Sequence, residues 1–265
     1  MSSVAIVHGL GLVPWLAAIA ANRRTSLWPT LIWAAAAWLT WGWALLAWQP
    51  RAIYAALVLS ACAGVAVLGA RRPGVGAWNF VIVGLLFVML LPLAEGALTG
   101  ADVQLNTIRK LFLIGLWCVA IGNYLPTRLG LAAALAGAAG ALGIIQMFEP
   151  ALVAPSAARR LTAVGLWSAP WMGWLCVARS PAESGVDRTW RTFRDRFGAI
   201  WALRVQDQFN RSSANAGTDA RLRWRGVTAP DAGADERLLA LLSRFGWDRR
   251  QKLGTPTFPP GRPVG

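Results

Sequence analysis

Apolar residues form long unbroken runs over the first two-thirds of the chain and recur at helical spacing over the last third. The clearest run is Leu27–Trp48, LWPTLIWAAAAWLTWGWALLAW, which carries no charge. A helix of about 20 apolar residues spans a bilayer core. Trp28 and Trp48 stand at its ends, where amphipathic rings favour the membrane–water interface. Comparable runs predict seven spans: Val4–Ala21, Leu27–Trp48, Ala52–Ala70, Ala77–Leu98, Leu111–Leu125, Leu129–Phe148 and Leu161–Ala178. The fifth is short; it gains length if it begins at Thr107, with Arg109 and Lys110 snorkelling toward headgroups. The chain therefore reads as an all-α integral membrane protein, a bundle of about seven transmembrane helices followed by a small, mostly helical basic tail. Its expected parts are a bundle over 1–178, a basic cytoplasmic tail with amphipathic helices over 179–250, and a Pro-rich disordered end over 251–265.

Some spans carry further expectations. The sixth is rich in Ala, Gly and Leu, with Gly137, Gly140 and Gly143 three apart. Small residues allow close helix approach, which suits the central helix of the bundle, or a homodimer seam as the alternative. Pro92 and Pro170 predict kinks in the fourth and seventh spans. The six Trp of the second span and Trp167, Trp171 and Trp174 of the seventh suit lipid contact or packing, with an aromatic-lined cavity as the alternative.

Charge fixes an expected orientation. Charged residues are 14% of the chain, against about 25% in soluble domains. Nothing basic precedes the first run and Arg23-Arg24 follows it, the reverse of a secretory signal, so an uncleaved first span with its N-terminus outside is expected. Inner loops then hold Arg23, Arg24, Arg71, Arg72 and Arg128, and outer loops hold Arg51, Arg109, Lys110, Arg159 and Arg160. The loops balance. The tail, with 16 of the 26 basic residues from Arg179 onward, places the C-terminus in the cytoplasm. Arg outnumbers Lys 24 to 2, and Ala, Gly, Pro and Trp are plentiful. That bias suits a GC-rich bacterial genome, hence an inner (cytoplasmic) membrane.

The tail has its own pattern. Ser184 with Asp187 suits a helix start, and Trp190, Phe193, Phe197, Trp201, Val205 and Phe209 follow at spacings of three and four. Arg188, Arg191 and Arg194 lie among them. Such a helix has three readings: it lies on anionic inner-leaflet headgroups, packs in a small cytosolic domain, or offers its stripe to a protein partner. Leu222, Trp224 and Val227 suggest a short strand, and Asp235–Phe245 a second amphipathic helix stopped by Gly246. So small a core is expected to lean on the bundle. Arginine among aromatics also suits nucleic acid, but the positive-inside rule gives the same pattern, so nucleic acid is not expected as a partner.

Polar residues at membrane depth are the candidates for chemistry. His8, Glu95, Arg109, Gln146 and Glu149 share one expected level near the outer face, and could line a pocket with Glu95 paired to Arg109; the plainer reading is ordinary interfacial residues. At the inner side, Asn123, Tyr124 and Arg128 flank Pro126 in GNYLPTR, a tight turn or a docking site for the tail. One His and three scattered Cys do not make a zinc set, so no metal is expected. No Gly-rich phosphate loop, HExxH or GxSxG is present, so no cofactor is expected and no catalytic residue can be named. The expected function is a non-enzymatic anchor or scaffold whose tail docks to the membrane surface or a partner protein. The alternatives are a small-molecule or lipid transporter and a membrane-embedded lipid-modifying enzyme, both using the outer polar group.

Overall fold

A computed structural model describes residues 3–71, 74–179 and 185–247. The chain is mostly helical, and five of its helices are long and apolar enough to cross a membrane: Trp28–Ala47, Pro50–Gly69, Val75–Thr99, Gly130–Phe148 and Pro155–Ala178. In chain order the bundle contains α1 (Ser3–Leu10), α2 (Leu12–Asn22), α3 (Trp28–Ala47), α4 (Pro50–Ala66, extended by a 3-10 turn to Gly69), α5 (Val75–Thr99), α6 (Thr107–Gly122), α7 (Gly130–Phe148) and α8 (Pro155–Ala178). Two of the seven expected spans are thus shorter elements. The first is divided at Gly11 into α1 and α2, where a side chain would collide with the Trp38 ring. The fifth is the 16-residue α6, and it does begin at Thr107, where the Asn106 side chain caps the Arg109 N–H at 2.9 Å. Helices α5 and α8 continue through Pro92 and Pro170.

The central helix is α4, not the Gly-rich α7. Two-thirds of α4 is buried (67%), against 17% of α7. Its small residues explain this. Ala52, Ala55, Ala56, Ala61, Ala63 and Ala66 are buried on several sides of the helix, and α3, α5, α6 and α7 all pack on it. Small side chains all round a helix let neighbours approach from every direction. At Gly64 a Cβ would meet the Cβ of Ala120 on α6. The glycines of α7 serve pairwise packing instead: Trp117 of α6 lies over Gly140, and Trp41 of α3 over Gly143. By contrast α5 is peripheral, with Phe80 and Phe87 79% and 73% exposed.

After α8 the chain forms a C-terminal unit. It contains α9 (Gly185–Asn215), a hairpin of β1 (Arg221–Arg223) and β2 (Gly226–Thr228), then α10 (Ala234–Leu242) and a 3-10 turn ending at Phe245. The hairpin is antiparallel, with Leu222 opposite Val227. Where one strand was expected there are two, because Trp224 and Arg225 form the turn. Gly246 stops the last turn in the left-handed region (φ 71°). Trp190, Phe193, Phe197, Trp201, Val205 and Phe209 are all buried, with Leu222, Leu238, Leu242, Phe245 and Trp247 around them. The same cluster includes Leu27, Val67 and Ala70 from the ends of α3 and α4. The unit therefore shares its core with the bundle. Ser184, the expected helix start, and the Pro-rich end 251–265 lie outside the described residues.

Replacing Gly64 by Leu should drive α4 away from α6 and cost about 1–3 kcal/mol, read as a lower melting temperature in detergent. Phe87→Ala, on the exposed face of α5, should change stability by less than about 0.5 kcal/mol. Equal effects of the two would contradict the assignment of α4 as the packing centre.

Candidate functional site

Two polar centres stand at opposite ends of the bundle. At the first, α5 ends and α6 begins. Glu95 lies in the last turns of α5 and Arg109 in the first turn of α6. Their side chains form a bidentate pair, Nη1 to Oε2 at 3.1 Å and Nη2 to Oε1 at 3.3 Å. Both are open to the surroundings (34% and 57% exposed for Arg109 and Glu95), so in water the pair would contribute little to stability. Arg51 donates to the Ala101 carbonyl at 2.7 Å and Lys110 lies 5.0 Å from the Phe148 ring centre, which places further cations at this end. Gln146 and Glu149 end α7 there, Gln146 with its carbonyl oxygen enclosed and unpaired and Glu149 exposed. Among the described residues, no hydrogen bond or ion pair joins either of them to Glu95 or Arg109.

His8 is elsewhere. It is buried and stacks on Trp38 (ring centroids 4.4 Å apart), in the middle of α3. Its Nδ1 accepts from the Trp167 indole N–H at 3.3 Å, so its proton is on Nε2, which donates to the Trp38 carbonyl at 2.7 Å. The Trp38 indole in turn donates to the His8 carbonyl at 3.1 Å. With both ring nitrogens occupied, His8 is a structural pin that ties α1 to α3 and α8. Its ring partners are Trp38 and Trp167, and none of Glu95, Arg109, Gln146 or Glu149 is among them. Among the described residues, no group of three or more His, Cys, Asp or Glu is placed to hold a metal ion.

The other end of the bundle carries the denser site. Three turns meet the C-terminal unit there, 23–27, 67–71 and 123–129. In the last, Asn123 completes the backbone of α9. Helix α9 is broken at Gly198 (φ 80°, ψ −179°), a conformation open to glycine but strained for any other residue. The break frees backbone groups on both sides. Asn123 answers three of them: its carbonyl accepts from Ala199 N–H (2.7 Å), its Oδ1 accepts from Ile200 N–H (3.0 Å) and its Nδ2 donates to the Phe197 carbonyl (3.4 Å). It acts as a helix cap supplied from another part of the chain. A Cβ on Gly198 would collide with the Asn123 side chain. The neighbouring Tyr124 hydroxyl donates to the Arg196 carbonyl at 3.2 Å, and burial pushes its phenol above the usual range, so it remains a donor.

Around this centre lie four further ties. Buried Asp195 accepts from the Arg128 backbone N–H at 3.2 Å, from the Arg128 guanidinium, and from Arg194 Nε and Nη2 at 3.1 and 3.0 Å. The Trp224 indole donates to the Pro126 carbonyl at 3.1 Å, and the Trp201 indole to the Val67 carbonyl at 2.9 Å. Ser26 joins the Ala70 and Phe245 carbonyls. Of the residues singled out in the tail, Trp190, Phe193, Phe197 and Trp201 are buried, Arg194 is buried against Asp195 and Trp224, Arg191 is half-buried and Arg188 is exposed. The aromatic stripe is covered by the unit's own core and by Leu27, Val67 and Ala70. Asp195, Gly198 and Ser26 were not singled out as site residues in the sequence, and Trp224 was read only as part of a short strand. A glycine in the middle of an amphipathic helix was the available signal, since it weakens a helix unless packing requires it.

No protein-family model, curated protein or solved structure matches the chain.

Asn123→Ala should leave the Ile200 N–H and the Phe197 carbonyl unpaired, at about 1–3 kcal/mol each. Gly198→Ala should act similarly through the clash. In both variants trypsin should cut faster within 185–247 while α3–α8 stay protected; digestion at the native rate would show that this contact does not hold the unit in place.

Proposed function

We propose that this chain is a multi-pass anchor of a bacterial inner membrane, with seven crossings, the N-terminus outside and the C-terminal unit at the cytoplasmic face. The shorter α1–α2 and α6 complete the seven in this reading. The unit rests on the turns that carry Arg23, Arg24, Arg71 and Arg128, and it adds eleven arginines against seven acidic residues between 185 and 247, the asymmetry expected of an inner face. The bundle is a scaffold that fixes how this unit is presented, and the unit engages an acidic protein partner or anionic headgroups. One observation carries the reading. The aromatic face is used for the unit's own core and its seat on the bundle, while Arg188, Arg204, Arg211, Arg221, Arg223, Arg225 and Arg244 are exposed. What such a unit offers outward is positive charge.

A second reading, transport or modification of a small molecule or lipid at the other end, is favoured by one feature, the partly open Glu95–Arg109 pair. The two readings separate in a strain that lacks the native gene. A chain with Gln at the seven exposed arginines keeps its core and should fail to restore the wild-type phenotype, whereas Glu95→Ala should restore it. The reverse outcome moves the function to Glu95 and Arg109.

A further inference from the structure

The hairpin of the C-terminal unit stands at a defined depth. Arg223 pairs with Gly226, so Trp224 and Arg225 form a two-residue turn. The Trp224 indole donates to Pro126, in the turn between α6 and α7. In a bilayer that turn marks where hydrocarbon gives way to headgroups, the level that Trp favours. Leu125 beside it is 49% exposed, an apolar side chain at the same level. Helix α9 also starts here: five residues separate Arg179, at the end of α8, from Gly185, and the Asp187 carboxylate accepts the Val227 N–H at 2.8 Å.

Positive charge collects around the turn. Arg223 and Arg225 are exposed on the hairpin and Arg188 is exposed on the first turn of α9. Arg191, one turn further on, donates through Nε to the Arg225 carbonyl at 2.7 Å and so holds the hairpin turn against α9. Two nearby acids are engaged: Asp187 bonds the hairpin backbone, and Asp195 is buried with Arg128 and Arg194. The exposed guanidiniums therefore face outward at headgroup depth. Guanidinium forks match phosphate oxygens in geometry as well as charge.

We propose that Arg188, Arg223 and Arg225, set around the Trp224 turn, bind the phosphate of an anionic phospholipid in the leaflet beside the α6–α7 turn. This deepens the function proposed above and rests on its placement of the unit at the membrane face. Trp224 and Leu125 set the depth, Arg191 positions the turn, and the three exposed arginines take the headgroup.

The test is native mass spectrometry of the full chain in neutral detergent, titrated with phosphatidylglycerol. Removing one arginine near a membrane surface weakens attraction about fivefold, so Gln at Arg188, Arg223 and Arg225 should weaken binding of the first lipid about a hundredfold. Lys at the same three positions should restore most of it. Gln at Arg204, Arg211 and Arg244, an equal loss of charge, should change it little. Phosphatidylcholine should bind far more weakly, and millimolar inorganic phosphate should not displace the bound lipid. An equal loss in the second triple variant, equal binding of the neutral lipid, or displacement by free phosphate would each overturn the proposal. If lipid binding fails these tests while the seven-arginine variant still loses its cellular role, the anchor reading stands with a protein partner.

Discussion

The arrangement of the C-terminal unit depends on a gap in one helix being filled from another part of the chain. At Gly198 the backbone of α9 leaves the helical region, and the freed groups on either side need partners. Asn123 supplies them from the α6–α7 turn, using its carbonyl and both ends of its amide. The contact is specific in a way that apolar burial is not. It fixes one residue of the bundle against one peptide of α9, and the neighbouring ties follow in register: Asp195 on Arg128, Trp201 on Val67, Trp224 on Pro126 and Phe245 on Ser26. Buried Asp195 strengthens the register because a carboxylate taken out of water needs its cations in place, and these come from both sides of the contact.

The bundle makes that contact possible by bringing three turns to one end. It does so around α4, whose alanines let α3, α5, α6 and α7 reach the same helix. Leu27, Val67 and Ala70 then form an apolar floor that continues into the aromatic cluster of the unit. A two-helix unit with a short hairpin has little surface to bury by itself. Sharing its core with the bundle gives it the stability of a larger fold and fixes how it sits on the bundle.

How much of this was legible in the sequence varies with the range of the interactions. Long apolar runs identify membrane helices because the requirement is local, about 20 residues without charge. The stripe from Trp190 to Phe209 and the stop at Gly246 were legible for the same reason, as was the pairing of Glu95 with Arg109 suggested by their places at facing helix ends. The centre of the bundle was not. Glycines in α7 drew attention, yet α4 achieves close packing with alanine, which is too common to stand out. The partners of His8 were not legible either: Gly11 makes room for Trp38, on which His8 stacks. Gly198 and Asp195 gain their meaning only from residues about 70 positions away, at Asn123 and Arg128. No spacing rule within α9 carries that information.

The chain presents a charged unit at one end of an apolar bundle, seated there by a shared core and by side-chain ties to three turns. The most direct check is hydrogen exchange at the Ala199 and Ile200 amides of the unmodified protein in lipid discs. They are the first amides after a helix break, which in a free unit exchange quickly because no earlier carbonyl protects them. Bonded to Asn123, they should exchange as slowly as the amides in the middle of α9. Fast exchange at both, with slow exchange maintained at Trp190 and Val205, would mean that the unit is folded but not seated on the bundle, and would contradict the central claim.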